Sequence, residues 1–233
     1  MSSGTNGARR WIEADAYLFD IDGTLLNSRD GVHYHAFHAA LREVFGVETR
    51  IDEVPVHGNT DPGILRAMLA HAGRADENSD GELARALQVM CTEVERNASG
   101  LAPVICDGVT DLLSLLTSRG KLLGVASGNL ERIGWLKLEA SGLRPFFAFG
   151  SFSDKNEKRE DIFRAGIAEA RRRLGRDDAD IVIVGDTPAD IRAARATQTP
   201  ILTLATGIYS AAQLAEHGPD ACFGCCSELL AAV

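Results

Sequence analysis

Short apolar runs alternate with segments of helical apolar spacing along the second half of the chain. The runs predict buried strands, and the segments between them, with apolar residues three or four positions apart, predict helices. From residue 107 onward the predicted elements are a helix near 108–119, a strand at 121–126, a helix at 130–141, a strand at 146–150, a helix at 160–174, a strand at 180–185, a helix at 188–197 and a strand at 200–204. This order is typical of a doubly wound, Rossmann-like α/β fold with a parallel sheet, and the apolar run at 16–20 adds one more strand.

The segment 27–104 has a different pattern, with no strand-like run. Its apolar residues repeat at helical spacing in three stretches, 34–45, 64–72 and 83–96. We therefore expect an α/β core formed by residues 1–26 and 105–233, with an all-helical cap domain inserted at 27–104. Such a cap crosses to the core twice, and the two crossings would serve as hinges of a lid that excludes water and selects the substrate.

Composition narrows the set of partners. The 233 residues are 45% hydrophobic, enough for a sizeable core in one large or two small domains. A formal net charge of −9 argues against nucleic acid as a partner, because the nucleic-acid backbone is a polyanion. No apolar run approaches the roughly 20 residues of a membrane span, so we expect no membrane partner. The assembly stays open between a monomer and a homodimer.

Five cysteines, an odd number at irregular spacing, indicate reduced thiols and a cytoplasmic protein. Cys222 and Cys225 have the spacing of half a zinc site, but the sequence has no second such pair, and we interpret them as small buried side chains. The first ten residues are rich in small polar side chains and lack the apolar segment of a signal peptide. We expect a flexible lead there.

Two carboxylates follow the first predicted strand, at Asp20 and Asp22, just before Gly23 and Thr24. Residues two apart on a strand point the same way, so these acids start on one side of the strand end. Like charges this close repel each other unless a cation or a proton lies between them, and Mg²⁺ prefers carboxylate and carbonyl oxygens. A carboxylate beside such a metal can attack phosphorus. Solvated acids in an ordinary strand-to-turn connection are the alternative.

Small polar residues follow the strand predicted at 121–126, in the order Ser127, Gly128 and Asn129. The Ser127 hydroxyl and the backbone N–H groups around Gly128 could hold a phosphate at the start of the next helix. Taken alone, these residues fit an ordinary helix N-cap equally well.

A basic cluster at 155–159 precedes the next predicted helix and contains Lys155, Lys158 and Arg159. A cation beside Asp20 would keep that carboxylate ionised and neutralise charge on a group being transferred. A solvated, charged loop is the alternative interpretation.

A third acid, Asp186, follows the β-branched strand predicted at 180–185, and Asp190 lies one helical turn later. In open parallel sheets ligands bind outside the carboxyl ends of the strands. The acids, the hydroxyl and the cation all map to that edge of the predicted sheet. Turns, helix caps and charged loops would each explain one of these groups, but not why all of them fall at the same edge.

In motif order, the chain resembles the haloacid dehalogenase-like (HAD) hydrolase superfamily, and within it the phosphoglycolate-phosphatase-like branch. The matching positions are Asp20 to Thr24, Ser127, a basic residue near Lys158, and Gly185 to Asp190. The resemblance implies that Asp20 is the nucleophile and Asp22 the general acid and base. It also implies a Mg²⁺ cofactor and a small phosphorylated metabolite as the substrate.

The resemblance also assigns ligands. Metal-site residues would be Asp20, Asp22 through its backbone carbonyl, Asp186, and Asp190, the last by orienting Asp186 or the basic residue. The residues expected to bind the substrate are Gly23, Thr24, Ser127, Gly128, Asn129, His57 and Asn59.

The third family motif departs from its usual form. It is often written Lys-Pro-x-Pro-Asp, whereas this chain has Glu157 where the lysine would fall and no proline. Lys158 or Arg159 would then supply the catalytic cation, and Lys155 is a weaker candidate.

Two groups of residues in the cap remain. A turn at 56–62 leads into a helix with Thr60 or Asp61 as its N-cap, and similar turns in the family face the active site, which makes His57 and Asn59 substrate-side candidates. The close histidines at 33, 35 and 38 favour an exposed helix face over a metal site, although the first two could touch the substrate.

The expected function is a Mg²⁺-dependent phosphatase that hydrolyses a small phosphate monoester through an aspartyl-phosphate intermediate. The presence of Asp22 disfavours dehalogenation, and the lack of lysine between Leu25 and Cys106 disfavours Schiff-base phosphonate chemistry. A sugar-phosphate mutase with the same core and a non-catalytic HAD-like binding module are the alternatives. Phosphoglycolate, sugar phosphates and nucleoside monophosphates all remain possible substrates.

Overall fold

A computed structural model describes residue 8, residues 10–75 and residues 80–233 of the chain. The flexible lead predicted for the first ten residues lies almost entirely outside them. The strands are β1 (Ala16–Phe19), β2 (Leu26–Ser28), β3 (Pro103–Ile105), β4 (Leu122–Ala126), β5 (Phe149–Ser151), β6 (Ile181–Gly185), β7 (Ile201–Leu204) and β8 (Ala221–Phe223). The α-helices are α1 (Val32–Ala40), α2 (Asp61–His71), α3 (Asp80–Arg96), α4 (Val109–Ser118), α5 (Glu131–Ala140), α6 (Arg159–Leu174), α7 (Pro188–Ala196), α8 (Ala211–Glu216) and α9 (Cys226–Ala231).

The main sheet has six parallel strands in the order β5-β4-β1-β6-β7-β8. Strand β1 lies in its middle, where Phe19 pairs with Val125 of β4 and Val184 of β6. This register brings the carboxyl ends of three neighbouring strands level with one another, so the residues that follow them start side by side. The predicted doubly wound α/β fold is confirmed.

Both faces of the sheet are covered, as the continuous burial of β1 requires. Alternate residues of a strand point to opposite faces. Tyr17 and Phe19 pack into one apolar cluster together with Leu112 and Leu116 of α4. Ala16 and Leu18 face the other cluster, formed with residues of α6 and α7 such as Phe163 and Ile191. The two helical layers therefore fix β1, and with it Asp20, from both sides.

Helices α1, α2 and α3 surround a separate apolar cluster that includes Phe37, Leu65 and Met90. This cluster also takes in Leu130 and Ile133, at the start of α5, so the helical segment rests on the edge of the core that carries the strand ends. The division into cap and core at the stated boundaries stays a prediction.

The two crossings between these parts are paired with each other. Strands β2 and β3 form a two-stranded antiparallel sheet in which Ser28 faces Pro103 and Leu26 faces Ile105. The segment predicted to be all-helical therefore contains short strand residues at both of its ends. At three residues each, these strands are too short to show an alternating apolar pattern.

All five cysteines are free thiols; Cys91, Cys106 and Cys226 are buried, whereas Cys222 and Cys225, which were expected to be buried, are only partly so. Among the described residues, no helix combines the length and the apolar character that crossing a membrane demands.

Candidate active site

A cavity of about 630 Å³ opens where the helical segment faces the carboxyl edge of the main sheet. Its wall combines residues that follow β1, β4 and β6 with residues of α1 and the turn before α2. The location is the edge at which open parallel sheets bind ligands.

Asp20 follows β1 directly and is 5% exposed. Its backbone N–H donates to the carbonyl of Val184 at 2.9 Å, so the ladder with β6 still fixes its direction. The Arg159 Nη2 lies 2.8 Å from its Oδ2. Burial raises the pKa of Asp20, the nearby carboxylates add to that rise, and Arg159 opposes it. Arg159 therefore only partly offsets the rise in the pKa of Asp20, and a further positive charge beside this carboxyl would favour its ionised form.

Asp22 lies two residues on, with its side chain 42% exposed in the cavity. Lys137 Nζ donates to both of its oxygens, at 2.9 and 2.7 Å, and Asn129 Nδ2 donates to Oδ2 at 2.7 Å. Burial alone would raise the pKa of Asp22, but the Lys137 ammonium and these hydrogen bonds outweigh it and lower the pKa. Asp22 is thus held as a carboxylate.

The polar residues after β4 line the cavity beside Asp22. Ser127 and Asn129 are both buried, and the Ser127 Oγ accepts hydrogen bonds from the Asn129 amide side chain and backbone N–H, at 2.9 and 3.4 Å. A Cβ added at Gly128 would lie 2.3 Å from the carbonyl oxygen of Asn59. A glycine is therefore required for the turn before α2 to approach this closely.

Asp186 follows β6, and its side chain contacts residues that follow β1. Thr24 Oγ1 donates to its Oδ1 at 3.0 Å. Gly23 has φ +84°, and a Cβ there would lie 2.2 Å from Asp186 Oδ2. Burial, followed by the charges of Asp190 and Asp20, raises the pKa of Asp186.

Thr24 was expected to bind the substrate, and the structure places it elsewhere. Its side chain is 1% exposed, is absent from the cavity wall among the described residues, and lies behind Asp186. Gly23, by contrast, lines the cavity as expected.

The basic cluster contributes Arg159 to the cavity. Arg159 is the first residue of α6, is 8% exposed, and bridges Asp20 and Asp190 with nitrogen-to-oxygen distances of 2.8 and 2.6 Å. Lys155 and Lys158 are exposed, and neither lines this cavity. Of the three cations that the sequence left open, Arg159 is the one beside Asp20, while Lys158, placed one residue earlier, points to solvent.

Asp190 is fully buried, and its oxygens are already engaged. Oδ1 accepts from Arg159 at 2.6 Å, and Oδ2 accepts from the backbone N–H and hydroxyl of Thr187, at 3.0 and 2.7 Å. It closes a capping box at the start of α7. Its contacts fit the orienting role toward the basic residue, rather than direct contact with a metal.

The donor set fits a hard divalent cation. One oxygen each from Asp20, Asp186 and Asp190 lies within 4.8 Å of the others. Of these, Asp20 and Asp186 would hold the ion, because the oxygens of Asp190 are engaged by Arg159 and Thr187. Three buried carboxylates share one guanidinium here, so the group has an excess of negative charge whenever all three are ionised. Carboxylate oxygens are the ligands that Mg²⁺ prefers, and Asp20 and Asp186 both line the cavity where such an ion would lie.

The turn before α2 brings His57 and Asn59 to the cavity wall, as expected. Thr60 is the N-cap of α2, accepting from the backbone N–H of Gly63 at 3.3 Å, and its hydroxyl donates to the carbonyl of Glu157. The turn is therefore anchored both to its own helix and to the core.

Three cavity residues had no firm assignment from the sequence. Asp61 accepts from the backbone N–H of Leu130 at 2.8 Å, and His33 Nε2 lies 3.3 Å from its Oδ2. Lys137 is 2% exposed. A signal for Lys137 did exist, because it falls on the apolar face of α5 at helical spacing from Leu130 and Ile133, where an unpaired charge would be costly.

Comparisons with known proteins agree with this geometry. The family model described as haloacid dehalogenase-like hydrolase matches residues 14–197. A phosphoglycolate phosphatase of Rhodospirillum rubrum is 29% identical over 218 residues, covering 89% of this chain and 86% of its own. The pyrophosphatase PpaX of Bacillus pumilus is 27% identical over 218 residues, covering 93% and 94%.

A crystal structure of a predicted phosphoglycolate phosphatase from Haemophilus somnus 129pt superimposes with a TM-score of 0.71 at 20% identity, covering 94% of this chain and 97% of the other. At this identity the likeness speaks for the fold. With the family match spanning most of the sequence, the protein is an enzyme that belongs to the haloacid dehalogenase-like hydrolases.

Proposed function

We propose that the protein is a Mg²⁺-dependent phosphatase that hydrolyses a small phosphate monoester through an aspartyl-phosphate on Asp20. The observation that carries this proposal is the convergence of Asp20, Asp22, Asp186 and Arg159 on one cavity. The names of the relatives, a phosphoglycolate phosphatase and a pyrophosphatase, support chemistry at phosphorus.

In the first step, the Asp20 carboxylate attacks phosphorus in line with the departing oxygen. Arg159 holds Asp20 in place and faces the transferring group with a positive charge. A Mg²⁺ ion held by Asp20, Asp186 and the backbone carbonyl of Asp22 would supply further charge neutralisation for the phosphoryl oxygens. Ser127 and Gly128 line the same cavity and would bind those oxygens.

Asp22 handles the protons in both steps. As a carboxylate it suits the second step, in which it deprotonates the water that cleaves the aspartyl-phosphate. The first step needs Asp22 protonated, to donate to the departing oxygen. An arriving phosphate ester supplies the condition for this, because its negative charge beside Asp22 raises the pKa of that carboxyl.

The test is phosphate release from p-nitrophenyl phosphate in the presence of Mg²⁺. We expect Asp20→Asn to abolish turnover, because an amide cannot serve as the nucleophile. The matched control is Asp178→Asn, the same chemical change on an exposed side chain, which should leave turnover unchanged. Full activity of Asp20→Asn would contradict the mechanism.

The same assay separates the alternatives. A sugar-phosphate mutase would convert one isomer into another without net release of phosphate. A binding module would turn over no ester with any divalent metal. We also propose a cytoplasmic location, which the five free thiols support.

A further inference from the structure

We infer that the substrate of this site carries its phosphate on an uncharged, largely apolar alcohol, and that an alcohol bearing a second anionic group fits poorly. The inference rests on the proposed phosphatase function and names the class of ester within it. It follows from the cations, the acids and the apolar side chains of the cavity wall.

The cations of the wall are already paired. Among the described residues, Lys137 and Arg159 are the only lysine or arginine side chains that line the cavity. Lys137 is bonded to both oxygens of Asp22, and Arg159 bridges Asp20 and Asp190. Both belong to the core, at the end of the cavity where the phosphoryl group would bind. A second anion further out would find neither cation available.

The outer wall carries acids instead. Asp30 and Asp52 both line the cavity on the side of the helical segment, and Asp52 is paired with Arg50 at 3.5 Å. Asp30 accepts from the backbone N–H groups of Val32 and Ala102, at 2.9 Å each, which leaves its charge without a cationic partner in these contacts. A carboxylate or a second phosphate on the leaving group would face the charge of Asp30, and like charges in a partly desolvated site repel each other.

Apolar side chains make up much of the rest of the wall, beside the polar His33, His57 and Asn59. Phe37, Val54, Val56 and Ile64 line it from the helical segment, and Ile208 and Tyr209 line it from the core. His33, which stacks on Phe37 with ring centroids 5.1 Å apart, lines the cavity as well. Such a wall recognises carbon-rich or aromatic groups by burial rather than by charge.

Exposed apolar side chains gather at the same place. In the described part of the chain, the exposed large hydrophobic residues are Tyr34, Val104 and Ile208, at 37%, 59% and 59% exposure. Single exposed hydrophobic residues are ordinary. Tyr34 and Ile208, however, both line the cavity, one from α1 and the other from the loop after β7. A ligand that covers both would remove their apolar surface from water.

The first experiment compares two primary-alkyl phosphates, 2-phenylethyl phosphate and phosphoglycolate, with Mg²⁺ present. We expect kcat/KM for the phenylethyl ester to be higher by about tenfold or more, the range in which pocket contacts discriminate. Equal values, or a preference for phosphoglycolate, would overturn this inference and leave the phosphatase function standing. Turnover of neither ester, nor of p-nitrophenyl phosphate, would overturn both.

The second experiment places a cation at the mouth of the cavity with Ile208→Lys. We expect kcat/KM for phosphoglycolate to rise and that for the phenylethyl ester to fall, so that their ratio changes by about tenfold. Val104→Lys is the matched control, because it places a lysine on an equally exposed β-branched residue outside the cavity, and its ratio should stay that of the unmodified protein. An unchanged ratio in Ile208→Lys would overturn the inference.

Discussion

Lys137 is a buried charge on an apolar helix face, and its partner is the carboxylate proposed to move protons. Lys137 touches Asp22 and Asn129, with Nζ-to-oxygen distances of 2.7 to 2.9 Å, so it acts on the reaction by setting the position and the pKa of Asp22. It is therefore a positioning residue.

Replacing Lys137 tests this role through the pH profile. Without the ammonium, the pKa of Asp22 rises, so its base form appears only at higher pH. We expect Lys137→Met to move the ascending limb of kcat, which includes the second step, to higher pH and to lower kcat by about tenfold or more, within the range that general acid–base catalysis contributes.

Two variants complete that experiment. Lys137→Arg keeps the charge and should restore much of the original pH profile. Lys121→Met is the control, because it makes the same change on a lysine just before β4, at the end of the strand away from the cavity. There Nζ donates to the carbonyl of Glu13, and the pH profile should stay unchanged. An ascending limb that stays in place in Lys137→Met would rule out the assigned role.

Individual residues were predictable where their neighbours in sequence decide their position. Asp20, Asp22 and Asp186 follow β-branched or apolar strands, and the parallel sheet places strand ends together. The choice of Arg159 over Lys158 was not predictable, because it depends on the angle at which α6 begins. The contact of Lys137 with Asp22 was not predictable either. It joins residues 115 positions apart, and a local sequence pattern contains no information on contacts at that separation.

At the scale of elements, the long apolar strands and amphipathic helices were predictable, whereas the shortest elements were not. Strand β8 has three residues, and helices α8 and α9 have six each, too few for a period to repeat. The turn at 56–62 was predictable from its capping residues. Its packing against Gly128 was not, because that is a tertiary contact.

The importance of this close contact between the turn and Gly128 can be tested by adding one methyl group. In Gly128→Ala, the added Cβ meets the Asn59 carbonyl oxygen at 2.3 Å and the Thr60 Cα at 3.1 Å, so the turn must move away from the core. We expect kcat/KM for p-nitrophenyl phosphate to fall by about tenfold to a hundredfold, because small displacements of positioned groups are costly.

Gly81→Ala provides the control for this change. Nothing lies within 4 Å of a Cβ added at Gly81, and the residue is exposed in α3. Its activity should match that of the unmodified protein. If Gly128→Ala keeps full activity, the close approach of the turn is not needed for the reaction.

At the scale of the whole molecule, stability depends on negative charge. The chain has a net charge of −9, and three buried carboxylates surround one guanidinium. The raised pKa values of Asp20 and Asp186 mean that the folded protein binds protons there more tightly than the unfolded chain. In the absence of metal, ionisation of these groups therefore costs stability as the pH rises above the ordinary carboxyl range near 4.

Mg²⁺ should relieve that cost. At a concentration about 100 times its Kd, it should stabilise the fold by about 2.7 kcal/mol, which raises Tm by roughly 5–10 °C. Because the carboxyl pKa values are raised, protons compete with the metal at a higher pH than usual, and we expect the Tm gain to shrink as the pH falls from 8 toward 5. Thermal unfolding with and without Mg²⁺ measures it.

NaCl at equal ionic strength is the control for general screening. Asp186→Asn removes a proposed ligand and should abolish most of the gain. A gain that is the same at pH 5 and pH 8 would exclude metal binding at this carboxylate group.

The paired strands β2 and β3 have a consequence for how this architecture can vary. Ser28 and Pro103 face each other across that ladder, so everything between them leaves and re-enters the core at adjacent points. The path of the core chain is that of a β-hairpin, with the segment 29–102 standing where its turn would be. Evolution can lengthen, shorten or exchange that segment, and so replace the outer wall of the cavity, while the residues at the ends of β1 and β6 keep their positions.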